Sequence, residues 1–386
     1  MASNGRNSYV LILLLLILTF WSYGAVSRKV QESSSLLERH EQWMAKYDKV
    51  YEDVAEKQKR FEIFKNNVQF IESFNSNGSK PYKLSVNQFA DQTNEEFKAT
   101  HMGLKKKPHG SPRLTMSSSS SAMEETPLPF RYENVTTLPA FVDWRQKGAV
   151  TPVKYQGQCG SCWAFGVIAA TEGAHQLTNG KLVSLSEQEL VDCDTEGEGC
   201  EGGYLEDGFE FIKKNGGITT EANYPYTATN DKCNTYKEAL SHVAQIKGYE
   251  KVPVNSELAL QKAVANQPVS VTIEADSFQF YSSGVFTEGC GSDTVLDHIV
   301  AAVGYGVTDD GTEYWILKNS WGTDWGEKGY MRMLRNIDAK EGLCGIAMDA
   351  GFPIAERVVF PLNLCPSQGI NSLFVAFLCC LLLILC

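Results

Sequence analysis

An apolar run from Tyr9 to Trp21 opens the chain, behind Arg6 and ahead of the small residues Gly24, Ala25 and Ser27. That order is the pattern of a secretory signal over residues 1–27, cut after Gly24 or Ser27, and too short for a comfortable membrane span. Over residues 34–76 the period becomes helical. Glu56, Arg60, Phe64, Asn67, Ile71 and Asn75 recur at spacings of four, four, three, four and four, so they share one helical stripe, with Glu56/Arg60 an i,i+4 ion pair. A generic amphipathic helix accounts for the apolar members, whereas two asparagines in the stripe need specific hydrogen-bond partners. Lys, Pro, Gly and a Ser117–Ser121 run then mark residues 105–136 as an exposed linker and cleavage zone. Beyond it, Cys162 to Leu177 is almost all apolar, with Ser161 as candidate N-cap and an end near Gly180, which predicts a buried helix. Ser186-x-x-Glu189 reads as a capping box opening another helix. After Lys251 the runs Val269–Ile273, His298–Val303 and Tyr314–Lys318 are β-like and broken by glycines. A helical first lobe and a β-rich second lobe follow, an α+β chain. The last fourteen residues, Leu373 to Cys386, are apolar; as a helix they reach about 21 Å, short of a bilayer core of about 30 Å.

Composition changes this picture little: 386 residues, 43% hydrophobic and 21% charged, are ordinary globular values. Charge divides the chain. Residues 137–356 hold 16 Lys+Arg against 31 Asp+Glu, a balance of −15, while residues 28–136 hold 17 against 15, a balance of +2. The acidic back half excludes nucleic-acid binding there and suggests a front segment held partly by charge. A secreted chain makes its eleven cysteines disulfide-permissive. Asn77-Gly-Ser and Asn134-Val-Thr have the form of glycosylation acceptors.

The chemistry starts at Gln156-Gly-Gln-Cys-Gly-Ser-Cys-Trp-Ala-Phe165. Cys162 at the first turn of a helix has unpaired N–H groups and the positive dipole end at its sulfur, a setting that favours the nucleophilic thiolate. A thiol that hydrolyses peptides needs a base, an orienter for it, and oxyanion donors. His175 lies thirteen residues down the same helix, roughly 20 Å away. His242 reads as a surface residue in the inter-lobe connection. His298 heads an apolar strand at a lobe edge and is the remaining candidate. Asn319, in Lys-Asn-Ser-Trp-Gly322, can accept from the imidazole without adding charge, which fits a thiolate–imidazolium pair. Cys159-Gly-Ser-Cys162 is formally also a redox pair, so a thiol–disulfide oxidoreductase is one rival reading. A membrane-tethered binding protein with a dead site is another. None of these readings calls for a metal or cofactor. Six cysteines remain beside Cys162 and the tail, and six allow fifteen pairings.

The Cys-Gly-Ser-Cys-Trp run matches a known signature of papain and the cathepsins. The stripe Glu-x3-Arg-x3-Phe-x2-Asn-x3-Ile-x3-Asn resembles the ERFNIN motif of cathepsin L-like propeptides. Asn87-Gln-Phe89-Ala-Asp91 resembles their downstream element, with Ser85 in place of its glycine. Leu138-Pro-Ala-Phe-Val-Asp-Trp-Arg145 resembles a mature papain-like amino terminus. Over about residues 36–355 the chain is therefore similar to papain-family, cathepsin L-like cysteine proteases of plant type. The resemblance implies a papain-like two-lobed fold at 137–355 behind a helical inhibitory propeptide at 28–104, with 356–386 a C-terminal extension. It implies a zymogen, activated at acidic pH, that cuts peptide bonds through an acyl-enzyme. Cys162, His298 and Asn319 would be catalytic, with Gln156 and the N–H of Cys162 as oxyanion hole. The implied disulfides are Cys159–Cys200, Cys193–Cys233 and Cys290–Cys344. Gly202 and Gly203 would pair with substrate backbone, beside Asp297 and Trp321. Tyr204, Leu205, Thr272, Leu296 and Ala347 would line the pocket for the second residue upstream of the cut, over a floor at Asp349. Glu201 and Glu206 depart from the family and make the rim more acidic. The pocket is expected to take apolar side chains, and Arg when Asp349 is ionised. The implied partners are protein and peptide substrates, the chain's own propeptide and cystatin-like inhibitors, in a lysosomal, vacuolar or extracellular setting. The tail would serve as a GPI-attachment signal around Ser367–Ser372, as an anchor aided by acylation of Cys379 or Cys380, or be trimmed away.

Overall fold

A computed structural model describes residues 35–104, 129–239, 242–290 and 294–357. The expected signal, most of the linker and the apolar tail lie outside the described residues. The helical pattern over 34–76 is two helices, α1 (35–46) and α2 (Val54–Ser76), not one. Between them Asp48 takes a left-handed backbone (φ 51°), and Asp53 ends the turn by accepting the Glu56 N–H at 2.8 Å. Short acidic side chains that bond their own backbone compete with helix continuation. The turn folds α1 back onto α2, so that Trp43 and His40 pack on Phe64 at ring distances of 5.3 and 5.0 Å.

The polar members of the α2 stripe have specific partners. Asn67 Nδ2 donates to the carbonyls of Ala90 and Gln92, both at 2.9 Å, and Asn75 exchanges two hydrogen bonds with Leu84. Arg60 joins Glu56 at 2.6 Å and Glu96 at 2.7 Å, and also donates to the Asp91 carbonyl. The stripe is thus a clamp on the segment that follows, β1 (Tyr82–Leu84) to α3 (Asn94–His101). Ser85 needs no left-handed backbone; its N–H simply donates to the Phe280 carbonyl at 2.9 Å. Thr93 and Glu96 close a reciprocal capping box on α3 and aim that helix at the groove between the lobes.

The catalytic-size unit begins at β2 (Val142–Asp143). Its first lobe holds α4 (Cys162–Asn179), α5 (Glu187–Cys193), α6 (Leu205–Lys214) and α7 (Thr235–Ala239). The second lobe holds β3 (Ile246–Lys251), α8 (Glu257–Asn266), β4 (Val269–Ile273), β5 (Tyr281–Phe286), β6 (His298–Val307), β7 (Glu313–Lys318), β8 (Tyr330–Leu334) and β9 (Ala350–Ala355). The strand order is β1-β5-β8-β7-β6-β4-β9-β3, with β2 on β6. β1 adds antiparallel to the edge of β5, so the front segment extends the second lobe's sheet. Ion pairs Lys80–Glu288 and Lys98–Asp276 cross the same seam, as the charge division suggests.

Two capping expectations are corrected. Ser161 holds the N-cap position of α4 but its side chain makes no cap; its Oγ bonds the Tyr226 hydroxyl at 2.6 Å. Ser186 does accept from Glu189 N–H, yet the Glu189 carboxylate turns away to take the Thr219 N–H at 2.7 Å. His242 is half-buried rather than a free surface residue, and its Cβ lies against Gly217.

The clamp generates a prediction. Asn67→Leu leaves two carbonyls without their donor, which costs about 1–3 kcal/mol. Denaturant titration of the full chain should show an earlier transition and faster proteolysis of residues 54–97 than in wild type. An unchanged midpoint and an unchanged digestion rate would remove Asn67 from the account.

Candidate active site

Strand β6 runs antiparallel to β7 with Ala301 opposite Lys318. This register brings His298, at the start of β6, and Asn319, just past β7, to one sheet edge. Helix α4, buried along its first three turns, delivers Cys162 to the same edge. His298 Nε2 donates to Asn319 Oδ1 at 2.8 Å, and the same oxygen takes the Ser320 N–H at 2.8 Å, which fixes the amide. Trp321 stacks on the imidazole at 4.7 Å and is fully buried. It therefore covers the His298–Asn319 contact, and Phe97 of α3 packs edge-on against it at 5.0 Å.

Cys162 is free and buried, and Cys159 pairs with Cys200, so the redox reading of the Cys-x-x-Cys run is overturned. The other disulfides are Cys193–Cys233 and Cys290–Cys344. Burial in this form works against the expected thiolate–imidazolium pair. Burial pushes the Cys162 thiol up to about 12, despite backbone hydrogen bonds from Ile299, Gly103 and Trp163. Burial likewise pushes His298 down to about 4. Both shifts favour the neutral forms, and His298 Nδ1, the ring nitrogen not held by Asn319, is buried and faces the His101 backbone. The cause is dehydration, since both groups carry essentially no exposed area.

What dehydrates them is the segment after α3. Gln156 Nε2 donates to the His101 carbonyl at 3.1 Å and to the Cys159 carbonyl at 2.9 Å. Ser320 Oγ holds the other end of that amide at 2.6 Å. Gly203 N–H donates to the Gly103 carbonyl at 3.0 Å, and Leu104 N–H to the Asp297 carbonyl at 3.2 Å. Leu104 pairs parallel with Gly203. The segment thus uses the groove's own donors and acceptors, with His101 at the glutamine and Gly103–Leu104 at the glycines. A substrate with its second upstream residue at Gly203 and its scissile carbonyl at Gln156 would run the other way along the chain. The groove is only backbone-wide here: a Cβ on Gly103 would stand 1.7 Å from the Gly160 carbonyl oxygen, and one on Gly202 (φ 113°) 2.4 Å from the Gly103 carbonyl oxygen.

Leu205, Thr272 and Ala347 are buried, and Tyr204 and Leu296 half-buried. Asp349 does not stand free: Thr272 Oγ1 donates to its Oδ2 at 2.8 Å and Lys251 Nζ pairs with its Oδ1. Lys251, Ser320, His101, Gly103 and Leu104 were not picked out from sequence. The last three had one signal, a Met-Gly-Leu break between a capped helix and the Lys105–Lys107 run. Asn77 and Asn134 are both exposed. Among the described residues no cluster of side chains could hold a metal.

Since nothing larger than glycine fits at position 103, Gly103→Val should lift the segment out of the groove. The full-chain variant at neutral pH should then react with an alkylating epoxide at Cys162, where wild type does not. Equal protection in both would contradict the backbone-width fit.

Residues 138–354 match the papain family cysteine proteases, and residues 40–97 match the cathepsin propeptide inhibitor domain. A senescence-specific cysteine protease of Oryza sativa subsp. indica is 55% identical over 335 residues, 85% of this chain and 93% of the relative. Vignain of Ricinus communis is 54% identical over 340 residues, 86% and 90% of the two chains. Among solved structures, a recombinant stem bromelain precursor is similar with a TM-score of 0.73 at 43% identity, covering 83% of this chain and 99% of that one. The proform of the ragweed pollen cysteine protease Amb a 11 has a TM-score of 0.73 at 42% identity, covering 83% and 95%. With a free cysteine at the helix end, a histidine–asparagine pair beside it and a propeptide in the groove, the chain belongs to the papain family and is a cysteine endopeptidase with a cathepsin-type inhibitory propeptide.

Proposed function

We propose that Cys162 is the nucleophile, His298 its acid–base partner, Asn319 the group that orients His298, and Gln156 with the Cys162 N–H the oxyanion hole. Once the propeptide leaves, water re-enters and the proton of Cys162 passes to His298 Nδ1. The thiolate attacks the scissile carbonyl carbon while Gln156 Nε2 takes the developing oxyanion. His298 gives its proton to the departing amine, leaving a thioester. Water then attacks the thioester as His298 removes its proton, and the acid product and the Cys162 sulfur are released. The observation that carries this reading is the Gln156 side chain holding a peptide carbonyl, that of His101, while the Gly103 backbone two residues on bonds the Cys162 sulfur.

We further place activation in an acidic compartment of the secretory route, vacuolar, lysosomal or extracellular. The apolar tail and cystatin-like inhibitors stay as expectations about membrane association and control. The propeptide itself carries a reason for acid sensitivity. His101 Nδ1 faces the Phe97 carbonyl at 3.1 Å, while Nε2 is buried without a partner among Phe89, Phe97 and Trp321. Lys49, the charged neighbour, opposes a second proton there.

Epoxide titration after acid treatment tests the assignment of roles. One thiol, Cys162, should be labelled, and Cys162→Ala should take no label and cut no peptide. His298→Ala should lower kcat/KM by about 10²–10⁴-fold. A label on any other cysteine, or peptidase activity in Cys162→Ala, defeats the reading.

The acid response has a definite sign. Bound, His101 is pushed by burial from 6.5 down to about 4. Its neutral form therefore supports propeptide binding above about pH 6.5, and that support is lost as pH falls from 6.5 toward 4. His101→Phe should move the midpoint pH for Cys162 labelling downward. A midpoint that does not move assigns the acid response elsewhere.

A further inference from the structure

Strand β3 ends at Lys251, opposite Gly351 of β9, and this register sets its side chain beside Asp349. Glu206 reaches the same point from the first turn of α6. The Lys251 ammonium lies 2.8 Å from Glu206 Oε1 and pairs with Asp349 Oδ1, while Thr272 Oγ1 holds the other Asp349 oxygen. All three charged side chains are largely covered, at 27%, 23% and 19% exposure for Lys251, Glu206 and Asp349. The Lys251 stem also packs: a Cβ on Gly351 would meet Leu205 Cδ1 at 3.0 Å and Lys251 Cδ at 3.6 Å. In the zymogen the propeptide residue Leu104 packs against the buried cluster that includes Leu205 and Ile299.

We propose that Lys251 is a specificity-determining residue, which bridges Glu206 and Asp349 across the end of the pocket and keeps it selective for an apolar side chain at the second position upstream of the cut. This rests on the assignment of the Gly203 groove to substrate. The two carboxylates would otherwise invite a guanidinium. With the ammonium already between them, an incoming Arg must displace Lys251 or enter without a free partner, and either path loses charge-assisted hydrogen bonds. Leu meets the Leu205 wall and the lysine stem without that loss. The expectation that an ionised Asp349 admits Arg is thereby reversed: Asp349 is engaged by a resident cation.

The test compares kcat/KM of the mature enzyme on two peptides that differ only in Leu or Arg at that position. Wild type should prefer Leu, and Lys251→Met should lower the Leu:Arg ratio by about tenfold or more, the scale of one charge-assisted hydrogen bond. Lys251→Arg, which keeps a cation, should hold the wild-type ratio. Adding Asp349→Ala to Lys251→Met should restore much of the Leu preference. Asp349→Ala alone leaves Lys251 facing one carboxylate and should raise the Leu:Arg ratio, a readout that does not depend on Lys251→Met folding. The proposal is overturned if Lys251→Met keeps the ratio within about twofold while Cys162 titrates normally, or if Asp349→Ala alone favours Arg. Failure of Cys162 to titrate in wild type would defeat the site assignment instead, so the two failures are distinct.

Discussion

Dehydration of one sulfur and one imidazole is the constraint around which this zymogen is arranged. Cys162 and His298 sit at the meeting of a buried helix end and a sheet edge, where water alone would let the pair ionise. The His101–Leu104 segment removes that water by making the groove's own backbone bonds at Gly203 and Asp297 and by filling the Gln156 site with its His101 carbonyl. In low dielectric, separating a proton from sulfur leaves two charges without solvent, which favours the neutral pair. Latency is therefore a property of solvation as much as of steric blockage.

Holding such a short segment in place takes the rest of the propeptide. Glycine at 103 allows the close approach but contributes no side chain, so the grip comes from elsewhere. It comes from β1 on the edge of β5, from Asn87 donating to the Gln279 carbonyl at 2.7 Å, and from Gln88 donating to the Trp321 carbonyl at 2.7 Å. Asn67 of α2 acts one step further back, tying the loop that carries Asn87–Asp91 to the helix, and Asn75 ties β1 to it. Lysines 80 and 98 add charge to this seam against the acidic second lobe.

Much of this could be read from the residues before any coordinates. The α2 stripe, the Cys162 helix ending at Gly180 and the β6 strand headed by His298 follow from periodicity and turn chemistry, which are local. The cysteine pairing came only from resemblance, because loop closure between distant cysteines leaves no local trace. The single long helix over 34–76 was an error of a different kind. Apolar spacing continued through Asp48 and Asp53, and only their backbone-bonding side chains mark the break. Lys251 could not be seen at all. Its meeting with Glu206 and Asp349 is made by the β3–β9 register, and one lysine at a strand end looks like any solvated charge. The opposing pull of burial was also hidden, since a helix N-terminus favours thiolate locally while burial by another segment disfavours it.

The claim that latency rests on a dehydrated, neutral pair is tested most directly by nitrogen NMR of His298 in zymogen and mature enzyme, both with Cys162 intact, at one pH near 6. The account expects a neutral ring protonated only at Nε2 in the zymogen and a doubly protonated imidazolium in the mature enzyme. An imidazolium already present beneath the propeptide would contradict it.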